Sequence, residues 1–322
     1  MDNTQYLIDL AKSNIVQQSQ ALVAMSERLN DSILKAISII NDAKGRLVVT
    51  GIGKSAIIGQ KIVATLNSTG TPSMFLHAAE AIHGDLGMVQ PDDVVLCISN
   101  SGSSPEIKIL IPILHKFGNA IIAMTGNTDS FLAKNATVVL DTFVDKETCP
   151  NNLAPTSSTT AQLVMGDSLA VCLMELNNFK AQDFAKYHPG GALGKKLLFL
   201  VEDLLNENNK PQVLINDHIH QVIVEISEKR LGVTAVLDQN KVVGIITDGD
   251  IRRMLQNFDN INTLRAGDIM TKSPRTISSH AKAVDALYMM EDYKITQLVV
   301  EDNHAYKGII HLHDVLKEGI AI

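Results

Sequence analysis

Residues 5–43 carry apolar side chains at helical spacing: Leu7, Leu10, Ile15, Leu22, Met25 and Leu29, then Ile33, Leu34, Ile37 and Ile40. Asn30-Asp31-Ser32 supplies a break and an N-cap, so the pattern predicts two helices. Such a pair has no core of its own and packs on the domain behind it or on another subunit. From Arg46 the pattern changes to short apolar runs alternating with helical stretches. The runs are Leu47-Val48-Val49-Thr50, Met74-Phe75-Leu76, Val94 to Ile98, Ala120 to Met124 and Thr137 to Leu140. Continuous apolar strands separated by helices predict an α/β domain with a five-stranded parallel sheet covered on both faces. A long helix is expected from about Ser158 to Leu176, with an irregular tail through Tyr187-His188-Pro189-Gly190-Gly191.

Past Leu200 the chain repeats itself. The segment Val233 to Arg252 and the segment Ile295 to Leu316 each read as two strands joined by a polar turn and followed by a helix, with an amphipathic helix in front. Two copies this short are expected to pack together as one pseudo-symmetric unit. Arg265 to Asp268 marks the join. The domain boundaries read from these patterns are 1–200 for the α/β domain with its leading helices, 203–262 for the first repeat and 266–322 for the second.

Composition narrows the function. A formal charge of −7 and the absence of Trp argue against nucleic acid as a partner, which demands a basic face. Small phosphate ligands stay open, since amide dipoles and hydroxyls bind those. Cys97, Cys149 and Cys172 form no CxxC pair, the mark of a reduced chain without a disulfide framework. The first residues are polar rather than basic and then apolar, and no apolar run reaches the ~20 residues of a membrane span. The expectation is a cytoplasmic protein with no membrane partner.

The strongest local chemistry is Ser99-Asn100-Ser101-Gly102-Ser103-Ser104, between a buried strand and a helix that starts at Pro105. Parallel sheets bind ligands at the carboxyl ends of their strands. A helix N-terminus there offers unpaired N–H donors and partial positive charge, and the hydroxyls add donors for a phosphate dianion. Gly51-Ile52-Gly53-Lys54-Ser55-Ala56 departs from the Walker loop, having Val48 where the first glycine belongs. It matches the dinucleotide fingerprint but lacks an acidic residue at the right distance, Glu80 coming late. Two phosphate-friendly loops favour one compact sugar phosphate over an extended dinucleotide. Lys54, Glu106, Glu147 and His188 stand beside loops at the expected ligand edge. Carboxylate, imidazole and ammonium can supply the base and charge partner for proton transfer between adjacent carbons. Each also has a plain reading as a helix-turn or solvated residue. His188 precedes Pro189 and Gly190-Gly191, which predicts an extended backbone on an uncrowded loop. His77 and His83, six apart, do not form a helical i,i+4 metal pair, and the stretch lacks the four ligands of a structural zinc site. His311 and His313 alternate, which predicts one face of a strand on the repeat surface.

With these motifs in view, residues from about 40 to 198 resemble a sugar isomerase (SIS) domain. The order Gly51-x-Gly-Lys-Ser, Ser99-Asn-Ser-Gly, Ala154-Pro-Thr-Ser-Ser-Thr-Thr160 and His188-Pro-Gly-Gly-Ala-Leu-Gly194 resembles the arabinose 5-phosphate isomerases in particular. Ser68-Thr-Gly-Thr-Pro72 and His83-Gly-Asp-Leu-Gly-Met88 belong to the same likeness, and the repeats from about 203 resemble a pair of cystathionine-β-synthase (CBS) domains. The fold implied is SIS-type and Rossmann-like. The reaction implied is interconversion of D-ribulose 5-phosphate and D-arabinose 5-phosphate through an enediolate, supplying the eight-carbon sugar acid of lipopolysaccharide or capsule.

The resemblance assigns catalysis to Lys54, Glu106, Glu147 and His188, and substrate or phosphate contact to Ser55, Gly70, Thr71, His83, Ser99, Asn100, Ser101 and Ser104. It requires no cofactor; His77 matches a position that can hold adventitious or inhibitory zinc. It implies a homotetramer, because such sites are commonly completed by a neighbour. Ser103 departs from it, standing where the family commonly has Glu. In the repeats, Thr247-Asp-Gly-Asp250 resembles the Thr-x-x-Asp that holds a nucleotide, whereas the second copy has His311 in place of Thr. That implies one site, at Thr247 and Asp250, for a nucleotide or nucleotide-sugar effector such as the cytidine-activated end product. The alternative role for the repeats is joining subunits. Two further readings for the whole chain are a sugar-phosphate sensor without catalysis and a nicotinamide enzyme. A DNA-binding regulator would need a basic helix-turn-helix that the acidic leading helices do not offer.

Overall fold

The computed structural model describes residues 3–206 and 209–320. The chain divides between Tyr187 and His188 into two compact units. The first opens with α1 (Asn3–Glu27) and α2 (Ser32–Asn41), in the places the periodicity predicts. Within the expected Asn30-Asp31-Ser32 break, Asn30 provides the cap. Asp31 is helical in backbone and makes no side-chain cap, while the Asn30 side-chain carbonyl accepts the Ser32 N–H at 2.9 Å.

There follow β1 (Leu47–Gly51), α3 (Lys54–Ser68), β2 (Ser73–His77), α4 (Ala78–Ala81), β3 (Val94–Ile98) and α5 (Pro105–Phe117). The unit continues through β4 (Ala120–Thr125), α6 (Phe131–Lys134), β5 (Val138–Asp141), α7 (Ser157–Leu176) and α8 (Ala181–Tyr187). The five strands form one parallel sheet in the order β2-β1-β3-β4-β5. Alternate residues feed opposite cores. Val49, Leu96, Ile122 and Leu140 meet α1, α2, α3 and α7 on one face. Val48, Val95, Cys97 and Ile121 meet α4, α5 and α6 on the other. Every position of β1 and β3 is therefore buried, which is why these strands read as unbroken apolar runs.

This strand order reverses direction between β1 and β3. The loops leaving their carboxyl ends diverge there, opening the crevice in which sheets of this kind bind ligands. α7 lies against α3 so closely that a Cβ on Gly166 would come within 2.3 Å of Ile62. The Ser55 hydroxyl donates to the Gln162 side-chain carbonyl at 3.1 Å, and Lys61 bonds Asp167 at 2.6 Å. These pairings run the two helices in the same direction, so the N-terminus of α7 joins that of α3 at the carboxyl edge. The tail expected to be irregular is largely helical. It holds α8, whose Tyr187 stacks on Phe179 over Gly70, and α9 (Ala192–Leu198) at the start of the second unit.

The second unit continues with β6 (Gln212–Leu214), α10 (Ile219–Lys229), β7 (Val233–Asp238), β8 (Lys241–Thr247) and α11 (Asp248–Asn257). Next come α12 (Ala266–Ile269), β9 (Thr271–Lys272), β10 (Thr276–Ile277), α13 (Ala283–Tyr293), β11 (Gln297–Asp302), β12 (Ala305–His311) and α14 (Leu312–Lys317). The sheets are β6-β7-β8-β9 and β10-β11-β12. Each repeat carries an antiparallel hairpin turning on two residues of positive φ, Gln239-Asn240 in one and Asn303-His304 in the other. Gln297 donates to the Leu231 carbonyl at 3.3 Å and Tyr306 to that of Pro211 at 2.8 Å, tying the repeats together. His311 and His313 do not share a strand face. His311 ends β12 and caps α14 by accepting the His313 N–H, and the two rings stack 5.1 Å apart.

Candidate active site

Register sets the floor of the crevice. Gly51 pairs with His77 on one side and with Ile98 on the other, so His77, Gly51 and the start of the Ser99 loop stand in one row at the carboxyl edge. Neighbours in that row are ~4.8 Å apart. Gly53 adopts φ 57° and ψ −130°, a conformation open to glycine, which lets β1 turn at once into α3 with Lys54 and Ser55 in its first turn. Lys54 is exposed, and no hydrogen bond or ion pair holds its ammonium among the described residues.

On the other side of the crevice Ser99 is buried and its hydroxyl accepts the Gly102 N–H at 3.1 Å, curling the loop. Gly102 sits at φ +61° with Ser130 and Thr125 packed against it. The loop is further tied down by Leu132 N–H to the Gly102 carbonyl and by Phe131 N–H to the Ser103 hydroxyl. Ser103, where the resemblance leads one to expect Glu, is thus spent on α6. Ser104 is the N-cap of α5 yet makes no side-chain cap, and its buried hydroxyl has no partner. Asn100 and Ser101 are exposed on the loop, and Glu106 lies half-buried in the first turn of α5.

Most of the buried side-chain polar atoms left unpaired among the described residues stand at this edge, Asn119 Oδ1 at the amino edge being an exception. Buried hydroxyls of Thr50, Ser157 and Ser158 and the Gln162 amide nitrogen lack partners, as does His77 Nδ1. Buried polar groups are ordinarily paired, so a concentration of orphans marks a place built for a ligand or water. The sequence pattern alone does not single out Thr50, Ser157, Ser158 or Gln162. The hydroxyl-rich run Ala154 to Thr160, opening a helix, is the signal for two of them.

Glu147 lies on the loop between β5 and α7. Its Oε2 accepts the Thr156 N–H at 2.7 Å, the Thr156 hydroxyl at 3.0 Å and the Ser158 N–H at 3.2 Å. Burial pushes its carboxyl up, but these hydrogen bonds outweigh burial and hold it below the ordinary carboxylate value. Glu147 is therefore an ionised carboxylate seated on the N-terminus of α7, where the helix dipole favours it. Two residues along, the Cys149 sulfur accepts the Ala154 and Leu153 N–H groups at 3.0 Å each, and Ala154 leads in lowering its pKa.

Not every predicted contact joins this group. Gly70 and Thr71 lie between α3 and β2, at the amino edge of the sheet, the end opposite the Ser99 loop. Within this chain they stand apart from the Ser99 loop. Gly70 has φ +92° and the Phe179 ring against it, which is a structural reason for glycine there. His83 is exposed beyond α4, and among the described residues no group of three or more metal-binding side chains forms around it or His77. His188 opens the second unit. Its loop is open at Gly190 and Gly191, as expected, while its carbonyl accepts the Gly191 N–H at 3.1 Å and approaches Gly194 too closely for a Cβ.

The second unit contains its own cleft, of about 290 Å³, lined by Thr247, Thr271, Ser273, Arg275 and Gln297 over apolar strand residues of both repeats. Thr247 faces it. Asp250 is buried and engaged: it accepts the Thr247 N–H and hydroxyl at 2.8 and 2.6 Å, the Thr271 hydroxyl and the Arg253 guanidinium. Burial opposes its ionisation and these bonds prevail, so its pKa is lowered. The three cysteines are free, and among the described residues no helix is long and apolar enough to cross a membrane.

Residues 39–172 match the SIS domain family, and residues 201–257 and 266–320 match the CBS domain family. The chain is 46% identical to arabinose 5-phosphate isomerase KdsD of Pseudomonas aeruginosa, over 97% of each chain. It is 43% identical to the protein of the same name from Escherichia coli K12, over 96% of this chain and 95% of the other. Among solved structures, E. coli CFT073 c3406 in complex with arabinose 5-phosphate superposes on 59% of this chain and all of its own, at 42% identity and a TM-score of 0.57.

Proposed function

The chain belongs to the arabinose 5-phosphate isomerase family, an SIS domain followed by paired CBS domains, and from that premise we propose that it interconverts D-arabinose 5-phosphate and D-ribulose 5-phosphate. The observation that carries the reading is Glu147, held ionised at the same sheet edge as the α5 N-terminus with its unpaired Ser104 hydroxyl. The N-terminus of α5, with Ser99, Ser101 and Ser104, takes the phosphate by N–H and hydroxyl donors. The anion at the N-terminus of α7 directs the dianion away from that second helix and leaves it for the reacting carbons.

In the aldose-to-ketose direction a carboxylate removes the C2 proton and the electrons move into a C1–C2 enediolate. The carboxyl, its proton exchanging with solvent, then protonates C1, and the C2 oxygen becomes the carbonyl. Glu147 is the preferred base because its second oxygen, Oε1, stays open while Oε2 is fixed; Glu106 is the other candidate. Lys54 stabilises the negative charge on the enediolate oxygens. His188 assists ring opening. The chemistry calls for no cofactor. Proton NMR of the protein with D-ribulose 5-phosphate and EDTA tests the activity. D-arabinose 5-phosphate should accumulate; folded protein that forms none would leave the sensor reading in its place.

The product feeds the eight-carbon sugar acid of the bacterial surface, and the second-unit cleft binds a nucleotide or nucleotide sugar. Its Arg275 and hydroxyl groups suit a phosphate, and its apolar strands suit a base. Calorimetry with cytidine and adenosine nucleotides should give saturable heat that Thr247→Val diminishes. Absence of heat would leave the repeats as subunit connectors.

A further inference from the structure

The run Ala154 to Thr160 is conspicuous in the sequence, yet no residue in it has a role in the reaction described so far. We propose that Thr156 is the positioning residue of the catalytic base, its hydroxyl and N–H together fixing one oxygen of Glu147 so that the other is presented to the substrate. The proposal rests on Glu147 being that base.

The geometry is specific to Thr156. Its hydroxyl donates to Glu147 Oε2 at 3.0 Å and accepts the Thr148 N–H at 3.0 Å, while its own N–H donates to Oε2 at 2.7 Å. One side chain thereby closes the loop from Glu147 to the start of α7. It grips both the carboxylate and the backbone of the next residue. The Glu147 N–H is held in turn by the Asn152 side-chain carbonyl at 2.6 Å, with Asn152 at φ 52°. Thr156 is the residue preceding α7, but its hydroxyl does not make the usual side-chain cap. A threonine in a capping position that serves a carboxylate nine residues upstream has been diverted from stabilising its helix.

The surroundings are uncharged on the packed sides. From α1, Asn14 reaches the Thr148 hydroxyl at 2.9 Å and Gln18 the Thr160 hydroxyl at 2.6 Å. Ser157, Ser158 and Thr159 open α7. On the loop itself Asp145 and Lys146 are exposed, and the nearby titratable group is the Cys149 thiol. Neutral donors of Ser158 and Thr156 therefore hold Glu147 below the ordinary carboxylate value, and Thr156 makes two of the three hydrogen bonds to Oε2.

The test compares Thr156→Val, Thr156→Ser and Glu147→Gln in the full chain with D-arabinose 5-phosphate. T156V should lower kcat ~10- to 100-fold, the scale of a small misplacement of a reacting group. KM should change little, because the phosphate is held elsewhere. The acid limb of kcat/KM, which reports the free base, should move to higher pH as a donor to the carboxylate is lost. T156S, which keeps the hydroxyl, should restore both rate and limb. If T156V does not fold, Thr156→Ala against T156S reads the same two quantities. Wild-type kcat and an unmoved acid limb in T156V, with E147Q inactive, would overturn the role of Thr156 and leave Glu147 as base. E147Q turning over like wild type would overturn both.

Discussion

Replacing Gly102 by Ala reports on the phosphate loop without removing any group that touches substrate. A Cβ there would lie 2.1 Å from Ser130 Oγ, 2.5 Å from Ser130 Cβ and 2.9 Å from Thr125 Oγ1, on a backbone at φ +61°. The left-handed conformation costs an alanine ~1–2 kcal/mol. Crowding a well-packed site costs a further ~1–3 kcal/mol. The stiffer unfolded chain offsets ~0.4–1 kcal/mol. The net loss is ~1–5 kcal/mol, which lowers the melting temperature of a unit this size by ~2–4 °C per kcal/mol. Relief by movement of the loop displaces Ser101 and Ser104, so affinity for inorganic phosphate should fall as well. Ser130→Gly removes the two nearest atoms at a capping cost of a few tenths of a kcal/mol. The double variant should recover the crowding share and keep the left-handed share. Scanning calorimetry and phosphate titration read both. G102A melting within about a degree of wild type and binding phosphate equally well would refute the reasoning.

Three further outcomes follow from the packing and the charges. Gly166→Ala meets both branches of Ile62, which is fully buried, at 2.3–3.1 Å; overpacking of up to ~3 kcal/mol outweighs the ~1 kcal/mol of helix propensity gained, so thermal stability measured by scanning calorimetry should drop. Asp302 accepts hydrogen bonds from the hydroxyl and N–H of Ser279 and from the Ser278 hydroxyl, which hold its pKa at about 2. A depressed carboxylate contributes stability above its unfolded value and loses it as pH falls from about 4 to about 2, so Asp302→Asn should lower the melting temperature of the second unit at pH 7 and flatten its acid dependence there. Asn240→Val in the β7–β8 turn, where φ is +66°, should destabilise that unit by ~1–2 kcal/mol, measured by urea unfolding.

Much of the molecule was legible because its patterns have one physical outcome. Unbroken apolar runs such as Val94 to Ile98 occur where both faces of a strand are covered, and the structure covers them. The Ser99 to Ser104 loop declared itself because serines and glycine between a strand and Pro105 fit a helix start at the carboxyl edge. Other features depend on partners that no local pattern encodes. His311 capping a helix rather than sharing a strand face with His313 depends on the free N–H of His313 at the start of α14, which alternation does not reveal. Gly70 and Thr71 stand at the far edge of this chain's sheet, a placement that follows from the α3–β2 link and that no local pattern marks. The orphaned polar atoms of Thr50, Ser157, Ser158 and Gln162 were hidden for the same reason: being unpaired is a property of the folded neighbourhood.

The most direct test of the account is exchange of the substrate C2 proton. D-arabinose 5-phosphate is incubated in D₂O with EDTA and either wild-type protein or Glu147→Gln, and deuterium is followed by NMR. The account predicts D-ribulose 5-phosphate carrying deuterium at C1 with the wild type, and near-complete loss of both exchange and conversion with E147Q. E147Q exchanging and converting at the wild-type rate would contradict proton transfer through Glu147.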